Sequence, residues 1–251
     1  MSAGEIRELL AAAFGGAGHP LAGWYGGLLE ALPPLRAFTA ANAGKIRKKA
    51  RHAADAEARR DLRCELAVAA ALAERRSPLA YEPLAAEGRR GPDFLLRHKG
   101  HTPVYVEVSR LRPARGREPD PAGRLAAVLC GKLEQLVAGA ANLLVLVSDD
   151  GPYGADQVGA TIQELRRRAD ARDDAFFAFR GLAGSRALDQ ALPRLGGGPV
   201  AGPAAPAEAL PLSRGARHPL PADLARAAAG WGLAARIGPP GDPATEPPVL
   251  P

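Results

Sequence analysis

Along this chain the apolar positions change period several times, and each change marks an element. Residues 5–14 carry a short helical pattern, and the pairs Gly15-Gly16 and Gly26-Gly27 punctuate the next stretch. From 35 to 75 there is no proline and little glycine, which predicts helix, broken into two near Asn42-Ala43-Gly44. Within 54–74, Leu62, Leu66, Ala69 and Leu72 recur at helical spacing and form one apolar stripe. Pro78 ends it. Strands are expected at 79–84, 93–98 and 104–109, then a helix at 123–138. The uninterrupted apolar run 143–147 reads as a strand covered on both faces. A helix at 155–169, a fifth strand at 175–179 and a short helix at 188–192 complete the ordered part.

Beyond residue 195 the character changes. Half of the 24 prolines lie there, among many glycines and alanines. Such a composition builds little core, so the segment is read as a mostly disordered tail. One helix is expected in it at 222–229, docking through Trp231, and Gly196-Gly197-Gly198 reads as linker. The pattern divides the chain into a helical N-terminal region (1–53), an α/β core (54–194) and a tail (195–251). The core order is helix, three-strand meander, helix, strand, helix, strand, which implies a mixed sheet flanked by helices.

Bulk properties narrow the function classes. The 251 residues carry a formal net charge of +6, which favours polyanionic partners. Cys64 and Cys130 are the only cysteines, too few for a disulfide scaffold or a cysteine zinc cage. They are expected to be buried, in a reducing compartment. No signal-like or membrane-length apolar segment is found, so a cytoplasmic location and no membrane partner are expected. Aromatic residues make up only 5 %, which argues against base stacking as the main mode of nucleic-acid binding.

The strongest chemical signal is a pair of acids inside strands. Asp93 opens Asp93-Phe94-Leu95-Leu96, and Glu107 lies within Val104-Tyr105-Val106-Glu107-Val108-Ser109. A carboxylate in a half-buried strand is costly unless something compensates its lost hydration. Side chains alternate along a strand, so Tyr105, Glu107 and Ser109 share a face, as do Asp93 and Leu95. A three-residue hairpin loop, Lys99-Gly100-His101, sets Asp93 across from Glu107, with Cβ atoms about 4.5–5.5 Å apart. A hard, oxygen-seeking cation would turn that repulsion into attraction. A one-residue slip would place the two acids on opposite faces.

Pro92-Asp93, thirteen residues, then Glu107-Val108-Ser109 resembles the motif of the PD-(D/E)XK phosphodiesterases, the restriction-endonuclease-like superfamily. The resemblance covers roughly residues 60–180. It implies a mixed sheet flanked by helices and hydrolysis of phosphodiester bonds in DNA, less readily RNA. It also implies Mg²⁺ or Mn²⁺ as cofactor, and many enzymes of this kind act as homodimers. Asp93, Glu107 and the backbone carbonyl of Val108 would be the metal ligands. A helical acid often precedes the motif, and here it is Glu65, beside the apolar stripe, where it would hold a metal-bound water or a second ion. The motif lysine is replaced by Ser109, which cannot supply its positive charge. Some members carry that lysine on a neighbouring helix, and Lys132 is the matching candidate, with Gln135 about one turn further on.

Two basic clusters add to this reading. Lys45, Arg47, Lys48, Lys49, Arg51, Arg59 and Arg60 form one; Arg110, Arg112, Arg115 and Arg117 form the other, directly after the Glu107 strand. Such groups would hold a phosphate backbone without reading sequence. The alternative outcome, favoured by Ser109, is a catalytically degenerate member that binds nucleic acid or a protein partner without cleaving.

Overall fold

The computed structural model describes residues 2–88, 91–112, 121–149, 153–202, 205–210 and 216–238. Four helices come first: α1 (Ala3–Phe14), α2 (Ala22–Ala31), α3 (Pro33–His52) and α4 (Ala56–Ala73). Ser2 and Glu5 form a capping box that starts α1. Asp55 caps α4 by accepting a hydrogen bond from the Ala58 N–H. The expected break at Asn42-Ala43-Gly44 does not occur: α3 runs unbroken for 20 residues, because Leu35, Phe38, Ile46 and Ala50 keep one face anchored in the core. Gly26 and Gly27 likewise sit inside α2. Tertiary burial outweighs their weak helix propensity.

A six-stranded mixed sheet comes next, with its strands in sequential order: β1 (Leu79–Tyr81), β2 (Phe94–His98), β3 (Thr102–Leu111), β4 (Ala141–Ser148), β5 (Leu195–Gly202) and β6 (Ala205–Leu210). The first three form an antiparallel meander. β4 lies parallel to β3, and β5 parallel to β4. Parallel neighbours need crossovers. α5 (Pro121–Leu133) serves the first, and α6 (Ala155–Asp170), α7 (Asp174–Ala178) and α8 (Ser185–Ala191) serve the second. The expected strand at 175–179 is therefore a helix. Asp173 caps α7 through the Phe176 N–H, and only Phe177 of its apolar residues is buried.

The sheet separates two apolar layers. Val104, Val106, Leu143, Val145 and Val147 face α1–α4, in one continuous cluster that includes Trp24, Tyr25 and Leu28. Leu111, Leu144 and Leu146 face α5, α6 and α8. The N-terminal region thus shares its core with the sheet.

The tail corrects the expectation of disorder. Residues 195–202 pair with β4, 205–210 pair with β5, and α9 (Ala222–Ala229) and α10 (Leu233–Ile237) pack on the α1–α4 layer. Trp231 is buried between them, as expected. Gly198 explains why a glycine-rich segment forms a strand here: a Cβ at that position would collide with the Leu144 carbonyl oxygen. Residues 203–204, 211–215 and 239–251 of the expected tail lie outside the described residues. Among the described residues, no helix is long and apolar enough to cross a membrane.

Candidate functional site

The hairpin pairs His98 with Thr102 and Phe94 with Val106, through a loop of Lys99, Gly100 and His101. Extending that register by one residue sets Asp93 opposite Glu107. Asp93 itself lies just before β2, and its Oδ2 accepts a hydrogen bond of 2.8 Å from the Val108 N–H. The backbone of β3 therefore fixes the Asp93 carboxylate beside the Glu107 position. Glu107 is only 3 % exposed. One of its oxygens, Oε1, accepts a hydrogen bond from the Lys132 ammonium, near the end of α5. The other, Oε2, is buried without a hydrogen-bond partner among the described residues.

Glu65 approaches from α4, in the helical layer. Its Oε1 is bonded to the ammonium of Lys49, which projects from α3. Lys49 also lies 3.3 Å from Glu82 and 3.7 Å from Asp93. It thereby links the helical acid to the acid at the start of β2. The Lys49 ammonium lies over the face of the Tyr81 ring, 4.9 Å from its centroid, and Tyr81 stacks on Phe94. Two pockets open onto this cluster. One, of about 230 Å³, is lined by Lys49, Glu82, Asp93, Glu107, Lys132 and Gln135 among others. The second, of about 360 Å³, holds Glu65, Asp93, Val108, Ser109 and Lys132 together with Asp61, Arg110 and Arg112.

Electrostatically the cluster is strained. Burial, reinforced by the charge of Asp93, pushes the Glu65 carboxyl up to about 8. The same two causes, in the same order, push Glu107 up to about 7. Lys49 and Lys132 offset part of this and do not remove it. Among the described residues, four carboxyl groups (Glu65, Glu82, Asp93, Glu107) meet two paired ammonium groups, and Lys45, at the rim, reaches the carbonyls of Tyr81 and Glu82. Fully ionised, these four acids would outnumber their cations, and the raised values of Glu65 and Glu107 express that excess as protons held near neutral pH. Among the described residues no three acids, histidines or cysteines are already gathered as a metal cage. The two ammonium groups stand among the acids instead.

A second network beside the site is balanced. Arg110 binds Asp61 at 2.6 Å, Glu57 at 2.5 Å and Asp149; Arg60 lies 3.3 Å from Asp149; Arg112 pairs with Asp61. Among the described residues three arginines meet three acids, and the Arg60 guanidinium also donates to the carbonyls of Ile237 and Gly238 at the end of α10. Arg110 points away from Glu107, as alternation along β3 requires. This network ties α4, β3, β4 and α10 together.

Of the residues singled out from the sequence, Asp93, Glu65, Ser109 and Lys132 line one pocket; Asp93, Glu107, Lys132 and Gln135 line its neighbour. Gln135 turns its amide onto the Gly131 carbonyl at 3.2 Å, not onto an acid. Val108 contributes its N–H to Asp93. The basic run 45–60 is not one solvated face, since Lys49 belongs to the acid cluster and Arg60 to the buried network. Arg115 and Arg117 lie outside the described residues. Glu82 was not anticipated; its left-handed backbone, φ 45°, is costly for a non-glycine residue and leaves no signal in a single sequence. Cys64 and Cys130 are free and buried, with burial pushing the Cys64 thiol up to about 12 and Cys130 to about 11, which disfavours the thiolate form.

No protein-family model, curated protein or solved structure matches this chain.

Proposed function

We propose that the chain is a metal-dependent, nuclease-like domain of the restriction-endonuclease-like fold, hydrolysing phosphodiester bonds in DNA. The observation that carries this reading is the contrast between two neighbouring ion clusters. Among the described residues the arginine network is charge-balanced. The lysine cluster keeps more carboxyl groups part-buried than its paired cations balance, with Glu65 and Glu107 held toward their protonated forms, a costly arrangement that a hard cation would relieve. The residues fit such an ion: Glu107 Oε2 is buried without a hydrogen-bond partner among the described residues, and Asp93 lines the same pocket as Glu107.

Asp93 and Glu107 would hold Mg²⁺ or Mn²⁺. The bound ion would polarise the phosphoryl group and lower the pKa of water. Glu65, with its carboxyl near neutrality, is suited to hold or accept a proton in the adjoining pocket, which Asp93 also lines. Lys132 supplies the positive charge that Ser109 cannot, at a pocket which both residues line. The net charge of +6 suits a nucleic-acid partner. One observation favours the second reading, a non-cleaving nucleic-acid-binding member: both Lys49 and Lys132 are already engaged by the acids.

Incubation of plasmid DNA with the purified chain and Mg²⁺ or Mn²⁺ separates these readings. Cleavage that is lost in Asp93→Ala and in Glu107→Ala supports the first. Salt-dependent DNA binding without any cleavage supports the second. Undiminished cleavage by both variants overturns the site.

A further inference from the structure

We propose that Lys49 is a phosphate-contacting residue, so that Lys49 and Lys132 grip one backbone phosphate of the nucleic acid across the 230 Å³ pocket. The inference rests on the nuclease reading for the identity of the ligand, and it makes the N-terminal helices part of the substrate site.

The two lysines reach this pocket from opposite faces of the sheet. Lys49 comes from α3, whose Ile46 and Ala50 belong to the α1–α4 layer; Lys132 comes from α5, whose Leu129 and Leu133 belong to the other. They meet because β2 begins only at Phe94, which leaves the sheet open beside Asp93. An ammonium has three N–H donors. On Lys49 one is bonded to Glu65, while Glu82 at 3.3 Å and Asp93 at 3.7 Å are ion-pair neighbours rather than hydrogen-bond acceptors. Donor capacity remains for an incoming oxyanion.

The position of Lys49 is specified from several sides. The Tyr81 ring lies under its ammonium, and Glu82 meets it from a strained left-handed backbone whose carbonyl is held by Lys45. A lysine that merely neutralised Glu65 would need none of this. Such over-determination is found where a side chain must be aimed. The arginines nearby are paired with acids and line the adjoining pocket; among the described residues Lys49 and Lys132 are the cations that line this one.

The test is binding without turnover. Fluorescence anisotropy with a fluorescein-labelled DNA duplex, in EDTA, gives the dependence of log affinity on log salt. Lys49→Met is expected to reduce the magnitude of that slope by about one, as loss of one phosphate contact requires. Its deficit against wild type then shrinks about tenfold for each tenfold rise in salt. Lys132→Met behaves alike, and Lys49→Arg retains the wild-type slope. An unchanged slope in Lys49→Met, with only a lower melting temperature, overturns the proposal and leaves Lys49 as a neutralising group.

Because Lys49→Met exposes Glu65 to unrelieved repulsion, wild-type protein supplies an independent readout. Lysine acetylation followed by mass spectrometry is expected to show Lys49 and Lys132 protected by DNA, with Lys99 unaffected. Equal labelling of Lys49 with and without DNA also overturns it. Failure of cleavage alongside intact Lys49 protection would overturn the catalytic reading and not this contact.

Discussion

The Asp93 carboxylate is held by the Val108 N–H at 2.8 Å, a bond from the strand that carries Glu107 to the residue facing Glu107. It fixes the spacing of the two acids through the backbone. Asp93→Asn keeps an oxygen acceptor for that bond and removes one charge from the repelling set. It is expected to match or exceed wild-type stability. Asp93→Ala leaves the Val108 N–H without its acceptor and is expected to cost about 1–3 kcal/mol. Urea unfolding of the two variants checks the order.

Stability should depend on pH in an unusual direction for an acid cluster. Glu65 and Glu107 ionise at higher pH in the folded chain, about 8 and about 7, than their ordinary value of 4.5. Folding therefore binds protons at these sites. Their contribution is full below about pH 4.5 and is lost as the pH climbs through 7 to 8. The metal-free chain should gain urea resistance from about pH 8.5 down to about pH 6. Glu65→Gln and Glu107→Gln should each flatten that rise. A wild-type midpoint that falls over the same interval would contradict the assignment.

Arg110 holds the buried end of the balanced network. Asp149, only 4 % exposed, depends on Arg110 and Arg60 for its charge compensation. Arg110→Met should destabilise the chain by about 3–5 kcal/mol, because it removes one partner of a buried pair. Asp149→Asn in the same background should restore part of the loss. A double-mutant cycle measured by chemical unfolding gives the coupling, and its absence would show that the network contributes no mutual stabilisation.

Much of the site's framework was legible in the sequence because it is local. The Lys99-Gly100-His101 loop fixes the hairpin register, and the alternation of Val104, Val106 and Val108 fixes which way Glu107 faces. Helical spacing sets Glu65 beside the apolar stripe of α4. What was not legible depends on long-range packing. The role of Lys49 required α3 to lie against α4 and β1, and its residue type alone looked like one cation among seven. The segment 175–179 has the apolar run of a strand, yet Asp173 caps it as a helix and the sheet position it would have filled is taken by β5. β5 itself was hidden because its glycines answer to a close backbone approach at Leu144, which composition reads as flexibility. The helix carrying Leu224 and the buried Trp231 was visible, since amphipathic spacing survives in a proline-rich setting.

The acid cluster itself is tested most directly by Mn²⁺ titration calorimetry on the wild-type chain near neutral pH. Surplus, part-buried carboxylates at Glu65, Asp93 and Glu107 predict saturable binding that is abolished by Glu107→Gln and by Asp93→Asn, while Arg112→Gln, in the neutral network, binds as wild type does. Mn²⁺ binding that is absent in the wild-type chain, or that survives unchanged in both acid variants, would contradict the account.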